Sequence, residues 1–244
     1  MKIYHGTSER AARGIVRRGI IPTSLFQEHG TSDFKDVVYL TSGYAGLFAS
    51  RKCKLHERWA IIEVDTSLIP EDERWLCPDE NFLEQGTSGT DADDFFGVTP
   101  QMSQKQRMKC YRNKVDDFSH LWKDSLDSIG AISHVGVIPP EAITRVVSFN
   151  PLDHPMLCDM VTELEFTITE WTVHQKKLEA LTKWMCGYKV RASDLNEEFC
   201  GESYFLGEKP SDRLLLKWHI HNERLHDVIQ DRTGFRVIKG EPIK

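Results

Sequence analysis

A soluble domain containing both α-helices and β-strands is the class this sequence predicts, on three observations. Short runs rich in β-branched and aromatic residues, such as Val37-Val38-Tyr39-Leu40-Thr41 and Trp59-Ala60-Ile61-Ile62-Glu63-Val64, alternate with stretches whose apolar residues keep helical spacing. The composition, 40% hydrophobic and 28% charged over 244 residues, is that of an ordinary globular chain. Its length suits one large domain or a domain with an appendage. No run approaches the roughly 18 apolar residues of a membrane span, and the first ten residues lack the apolar core of a secretory signal. The expectation is a soluble, unprocessed, cytoplasmic chain with no membrane partner.

From the N-terminus, Met1 to Tyr4 reads as a short strand that stops at His5-Gly6-Thr7-Ser8, where Thr7 or Ser8 can cap a helix. Ala12, Ile15 and Val16 mark the apolar face of that helix, and Gly19 closes it. Arg10, Arg13, Arg17 and Arg18 lie on its other face, either as a solvated surface or as phosphate contacts. Val37 to Thr41 is the second strand. Ser42 can cap the next helix, on which Tyr44, Ala45, Leu47, Phe48 and Ala49 are the apolar members. Trp59 to Val64 is the third strand, and its alternating character turns Glu63 outward.

An acidic, loop-rich insert follows, containing Pro78-Asp79-Glu80 and Gly86 to Asp91. The net charge of −6 excludes a generally basic coat for nucleic acid, so any polyanion must meet a local patch. Ser103 to Lys114 offers one: Lys105, Arg107, Lys109, Arg112 and Lys114 occur without an acidic residue, and Tyr111 lies among them. Such a cluster is either a solvated helix face or a surface for phosphates and a stacked base. Val115 to Leu126 has amphipathic spacing up to Gly130. Ala131 to Ile138 and Ile143 to Phe149 read as two late strands separated by Pro139-Pro140. Asn150 to Pro155, rich in turn formers, divides a domain over residues 1–150 from a mainly helical or mixed accessory module over 155–244.

The cysteines Cys53, Cys77, Cys110, Cys158, Cys186 and Cys200 contain no Cys-x-x-Cys pair, which predicts reduced thiols and no zinc framework. His219 and His221 could share one strand face, but no third ligand lies nearby, so no metal is expected.

The series Ile3-Tyr4-His5-Gly6-Thr7-Ser8, Gly19-Ile20-Ile21-Pro22, Val38-Tyr39-Leu40-Thr41 and Val137 to Ile143 resembles the ADP-ribosyltransferase superfamily of the His-Tyr-Glu type. That branch contains diphtheria toxin, the poly(ADP-ribose) polymerases and relatives that modify nucleic acid. The resemblance covers about Met1 to Phe149. It implies an α+β fold with a split mixed sheet, flanking helices and a cleft between two small sheets. It also implies NAD as co-substrate and glycosyl transfer of ADP-ribose to a macromolecule, more readily nucleic acid (RNA or DNA) than protein. A toxin of a toxin–antitoxin or phage-defence system, with an inhibitory antitoxin partner, is the setting it implies.

On this reading the His5 imidazole hydrogen-bonds a ribose hydroxyl, Gly6 leaves bare backbone for the ligand, and Thr7 and Thr41 complete the NAD contacts. Tyr39 stacks on the nicotinamide, with Tyr44 or Phe48 on its other side. The family's glutamate on a late strand has no counterpart in Ala131-Ile132-Ser133-His134-Val135-Gly136-Val137. His134, as donor or general base, stands in for it, or else Asp79 or Glu80 from the polar insert; Glu63 is a further option, though its strand turns it outward. Lys105, Arg107, Lys109, Tyr111 and Arg112 are the acceptor-binding candidates. The alternatives are an NAD-dependent RNA 2′-phosphotransferase, which needs converging cations, and an inactive NAD- or RNA-binding module, which the missing glutamate favours.

Overall fold

The structure is a computed structural model that describes residues 1–22, 37–54, 56–86, 94–163, 171–190, 228–229 and 231–243. It is an α+β fold. Seven strands form one sheet: β1 (Lys2–Ser8), β2 (Val37–Thr41), β3 (Trp59–Asp65), β4 (Leu76–Pro78), β5 (Ala131–Val135), β6 (Ile143–Phe149) and β7 (Arg236–Lys239), in the order β4-β5-β2-β1-β3-β6-β7. Every pairing among the described strands is antiparallel, which corrects the mixed sheet expected above. Parallel neighbours need a connection that returns the chain to the end it started from, and here each neighbour is entered from the opposite end.

The pairing of β1 is lopsided. It is in register with β3 at every position from Lys2↔Asp65 to Ser8↔Trp59, but with β2 only at Tyr4↔Thr41. The sheet therefore divides into β1-β3-β6-β7 and β4-β5-β2, hinged at one residue pair. The first strand also runs longer than its sequence suggests, because His5-Gly6-Thr7-Ser8 continues the ladder to β3. Ser8 then caps α1 (Glu9–Arg18) by accepting from the Ala11 N–H at 3.3 Å, and Gly19, at φ 80°, closes it.

Alternation along the strands builds two cores. Ile3, Val38, Leu40, Ile62 and Val64 face α1 through Ala12, Ile15 and Val16. Tyr4, Ile61 and Phe149 face α2 (Ala45–Lys52), α6 (Pro155–Glu163) and α7 (Trp171–Met185), with Leu47, Leu157, Leu178 and Trp184 among the buried partners. With both faces covered, β3 is buried along nearly its whole length, so Glu63 points into the protein and not outward as alternation suggested. Among the described residues beyond 155, Leu157, Leu178, Trp184 and Phe235 join this core, and Arg236–Lys239 form β7 at the sheet edge.

The acidic insert contains two elements that its composition hides: β4, and α3 (Glu80–Gly86) directly after it. Beyond them α4 (Gln104–Asn113) opens with a capping box between Ser103 and Gln106. A 3₁₀ segment (Val115–Leu121) then leads into α5 (Trp122–Ile129) where one amphipathic helix was expected. Cys77, Leu83, Phe96, Met108, Tyr111 and Val115 make a third, smaller core between β4, α3 and α4.

Helix α2 lies directly on the backbone of β1. A Cβ added to Gly6 would sit 1.7 Å from the Ala45 carbonyl oxygen and 2.7 Å from the Ala49 nitrogen, both backbone atoms. Gly6→Ala is expected to destabilise the protein by more than about 3 kcal/mol, beyond an ordinary overpacking substitution. Gly14, inside α1, is the contrast: its added Cβ meets only the flexible end of Arg18 at 3.0 Å. Gly14→Ala is expected to be neutral or to stabilise by up to about 1 kcal/mol. Urea denaturation of the two variants checks both signs.

A candidate site around Tyr39, Glu80 and Arg112

Three elements bring charged and aromatic groups to the face of the sheet that carries Tyr4. Tyr39 on β2 stands opposite Ser133 on β5, which in turn stands opposite Cys77 on β4. After β4 the chain turns at Asp79, whose Oδ1 accepts from the Asn81 backbone N–H at 2.8 Å and from Asn81 Nδ2 at 2.7 Å. The turn starts α3 with Glu80 directed at Tyr39, and the Tyr39 hydroxyl donates to Glu80 Oε1 at 2.7 Å. From the last turn of α4, Arg112 Nε donates to the same Oε1 at 2.7 Å and to the Tyr39 hydroxyl at 3.1 Å, while Nη2 also bonds Oε1. Glu80 is only 4% exposed. Glu80 thus places a carboxylate close to β5, which has none, from the helix that follows the neighbouring strand β4.

Burial, and next the charge of Glu80, push the Asp79 carboxyl up to about 7. Two adjacent carboxyl groups are therefore held differently: Glu80 is paired with a guanidinium, and Asp79 retains its proton to near neutrality. Burial also raises the Tyr39 phenol, reinforced by the charge of Glu80, so it remains a hydroxyl donor.

His5 sits at the divide between β1 and β2. Its Nδ1 lies 3.0 Å from the Tyr39 carbonyl oxygen, which can only accept, so Nδ1 carries the hydrogen and Nε2 is left as an acceptor. Burial lowers its pKa below the ordinary histidine value and keeps the ring neutral. By the Tyr4↔Thr41 register, Tyr39 shares the face of Tyr4, whereas His5 shares that of Ile62. Imidazole and phenol thus lie on opposite faces, and the contact joins the imidazole to the backbone of Tyr39.

Other candidates have defined structural partners. The bare backbone of Gly6 is covered by α2 and is not left open for a ligand, because the Ala45 carbonyl fills the space of its absent side chain. Thr7 is buried. Thr41 Oγ1 donates to the Gly130 carbonyl at 2.8 Å and accepts from the N–H groups of Gly43 and Tyr44 at 3.2 and 2.9 Å, which fixes the turn into α2; Ser42 does not cap that helix, whose N-cap Tyr44 makes no side-chain cap bond. Tyr44 is buried, with Phe48 half-buried 6.3 Å away at 60°. His134 points to the Val38 and Leu76 side, where Nε2 lies 3.1 Å from the Glu73 carbonyl oxygen and Nδ1 3.4 Å from that of Gly136. It ties down the loop before β4 and is not brought to Glu80.

The basic stretch is divided by its helix. Lys105 and Lys109 are exposed and Arg107 is half-buried. Tyr111, 2% exposed, packs 4.6 Å from Phe96, so its ring is in the core and not available to a base. Arg112 turns inward to Glu80. On α1, Arg13 pairs with Glu9, and Arg10 lies 3.9 Å from Glu57, so these arginines do not converge on one anion. Among the described residues Cys53, Cys77, Cys110, Cys158 and Cys186 are thiols, and no group of three His, Cys, Asp or Glu side chains could hold a metal. Cys200, His219 and His221 lie outside the described residues. No described helix is long and apolar enough to cross a membrane.

The role of Arg112 has no local signature. An arginine in the last turn of a helix normally complements the helix dipole at the surface, and its partnership with Glu80, 32 residues earlier, follows from the packing of α3 against α4.

No protein-family model matches the chain, and no curated protein matches it in sequence. Among solved structures, EcPltA aligns with 62% of this chain and 78% of its own, at 15% identity and a TM-score of 0.32. A likeness of that degree leaves function to be argued from the site.

Asp79 binds its proton more tightly in the folded chain than in the unfolded one, so its contribution to stability is complete below about pH 4 and is lost as pH rises through about 7. Asp79→Asn keeps an acceptor oxygen for Asn81 and removes the buried charge. It is expected to raise Tm at pH 8, by on the order of 2–4 °C for each kcal/mol relieved, and to change it little at pH 4. Melting curves at both pH values decide the matter, and a variant no more stable than wild type at pH 8 contradicts the assignment.

Proposed function

We propose that this chain transfers ADP-ribose from NAD to a macromolecular acceptor, nucleic acid in preference to protein, with release of nicotinamide. The observation that carries the reading is the buried Glu80 carboxylate, oriented by Tyr39 and Arg112 beside a late strand that has no acid of its own. Breaking the nicotinamide–ribose bond leaves a carbon of oxocarbenium character, as in glycoside hydrolysis, and a fixed carboxylate in a water-poor site stabilises it. The three donor contacts converge on Oε1, which leaves Oε2 for a ribose or acceptor hydroxyl. Nicotinamide departs with the bonding electron pair, and Glu80 takes the proton from the attacking acceptor group. His5 Nε2, as a neutral acceptor, suits a second ribose hydroxyl, and because its ring and the Tyr39 phenol lie on opposite faces, a dinucleotide that meets both passes through the divide between β1 and β2. The resemblance to the His-Tyr-Glu branch supports the same substrate, and with it an inhibitory protein partner of the antitoxin kind.

One feature favours a second reading. Glu80 is held in the fork of Arg112, and a carboxylate neutralised in this way also suits a module that binds NAD or RNA without turnover.

Incubation with labelled NAD and separate pools of RNA, DNA and protein separates the two. The transferase reading expects nicotinamide release and label in a nucleic-acid pool, whereas the binding module releases none. Glu80→Gln is expected to lower nicotinamide release by about 100-fold or more, and Tyr39→Phe by roughly 5- to 10-fold through loss of one hydrogen bond. Because Glu80→Gln removes the carboxylate that Arg112 faces in the interior, a loss of fold is separated from a loss of chemistry by Glu80→Gln/Arg112→Gln. That double variant should melt near wild type and remain inactive. Full turnover in it removes Glu80 from the mechanism.

A further inference from the structure

A groove of about 590 Å³ lies away from Tyr39 and Glu80, between the loop that enters β4 and the segment that enters α5. Arg74 and Trp75 line one side, and His120, Trp122 and Lys123 the other. Trp75 is 51% exposed, unusual for so large an apolar side chain. Trp122 packs its inner side on the core, and Lys123 Nζ lies 5.5 Å from its ring centroid. Arg74 and Lys123 form no ion pair with any described residue. Among the described residues no Asp or Glu side chain lines the groove, although Glu71, Asp72 and Glu73 precede Arg74 in the loop.

We propose that this groove binds a short single-stranded segment of nucleic acid, with a base stacked on Trp75 and adjoining phosphates held by Arg74 and Lys123. An indole face accepts any base, and a guanidinium or ammonium beside it meets the phosphate that every nucleotide carries. The volume limits the bound segment to one or two nucleotides. Glu71, Asp72 and Glu73, in the same loop, add negative charge that disfavours a long duplex more than a short single strand. This groove takes the place of the Lys105 to Lys114 stretch as the stacking surface, since Tyr111 is buried. The inference shares with the transferase reading only the choice of nucleic acid as partner, and binding is measured without NAD, so either can fail alone.

The test is fluorescence anisotropy of dye-labelled six-nucleotide oligouridylate and oligothymidylate with the full chain, in 50 and 200 mM salt. Saturable binding is expected, with a log–log salt slope no steeper than about −1.4 for two phosphate contacts. Trp75→Ala is expected to weaken it roughly 5- to 150-fold, and Arg74→Gln/Lys123→Gln to flatten the slope towards zero. Both sites are at the surface, and unchanged melting curves establish that the variants fold. Three results overturn the proposal: no saturable binding, equal binding by Trp75→Ala, or double-stranded DNA bound as tightly as the single strand. Binding of a proline-rich peptide where the oligonucleotides do not bind also overturns it.

Discussion

The unequal pairing of β1 governs the rest of this molecule. On one side seven consecutive residues pair with β3; on the other the ladder to β2 is reduced to Tyr4↔Thr41. Strands that part leave backbone groups that still need partners. His5 meets that need, because its Nδ1–H satisfies the Tyr39 carbonyl that a continued ladder would have paired with a β1 amide. A side chain thus replaces a main-chain bond at the point where the sheet opens, and its second nitrogen remains available. Histidine suits this position because its neutral ring is donor and acceptor at once. Gly6, next in sequence, serves the other side of the strand by letting α2 rest on the backbone.

Two buried carboxylates are stabilised in parallel ways. Glu80 takes Tyr39 and Arg112 and so joins β2, α3 and α4. Glu63 takes Thr144 at 2.6 Å, Tyr188 at 3.0 Å and Lys2 at 3.0 Å, joining β1, β3, β6 and the segment after α7. Neither ion pair is a strong argument for net stability, since desolvation opposes the Coulomb attraction, but removing one partner alone is costly. The environments differ in consequence. Glu63 is closed in by the sheet and Tyr188, whereas Glu80 stands beside Tyr39 near the opening of the sheet. The chemistry proposed here rests on that difference.

The strands with uninterrupted β-rich runs were legible from composition, as were the caps at Ser8 and Gly19 and the turn after Phe149, because local backbone preferences act over a few residues. Leu76 to Pro78 was not legible: three residues in an acidic setting carry no periodicity, and the strand exists because β5 offers an edge. Glu63 had an alternating pattern that suggested solvent, yet α2, α6 and α7 cover that face with side chains distant in sequence. Tyr111 and Arg112, neighbours in a run of like charges, face the core and the Glu80 carboxylate respectively, since residues 100° apart on a helix meet different surroundings.

By itself, then, the sequence determined that the chain combines helices with short strands and where its main punctuation falls, and it offered His5, Tyr39, His134 and Glu80 as candidates for chemistry. Tertiary structure decided which of them meet. Whether Glu80 reaches Tyr39, whether Arg112 is a surface charge or a buried partner, and whether His5 contacts a ring or a carbonyl all depend on strand register and on helix packing between segments tens of residues apart. Those distances are set by burial of apolar surface across the whole sheet, a sum over many residues that no local stretch of sequence encodes.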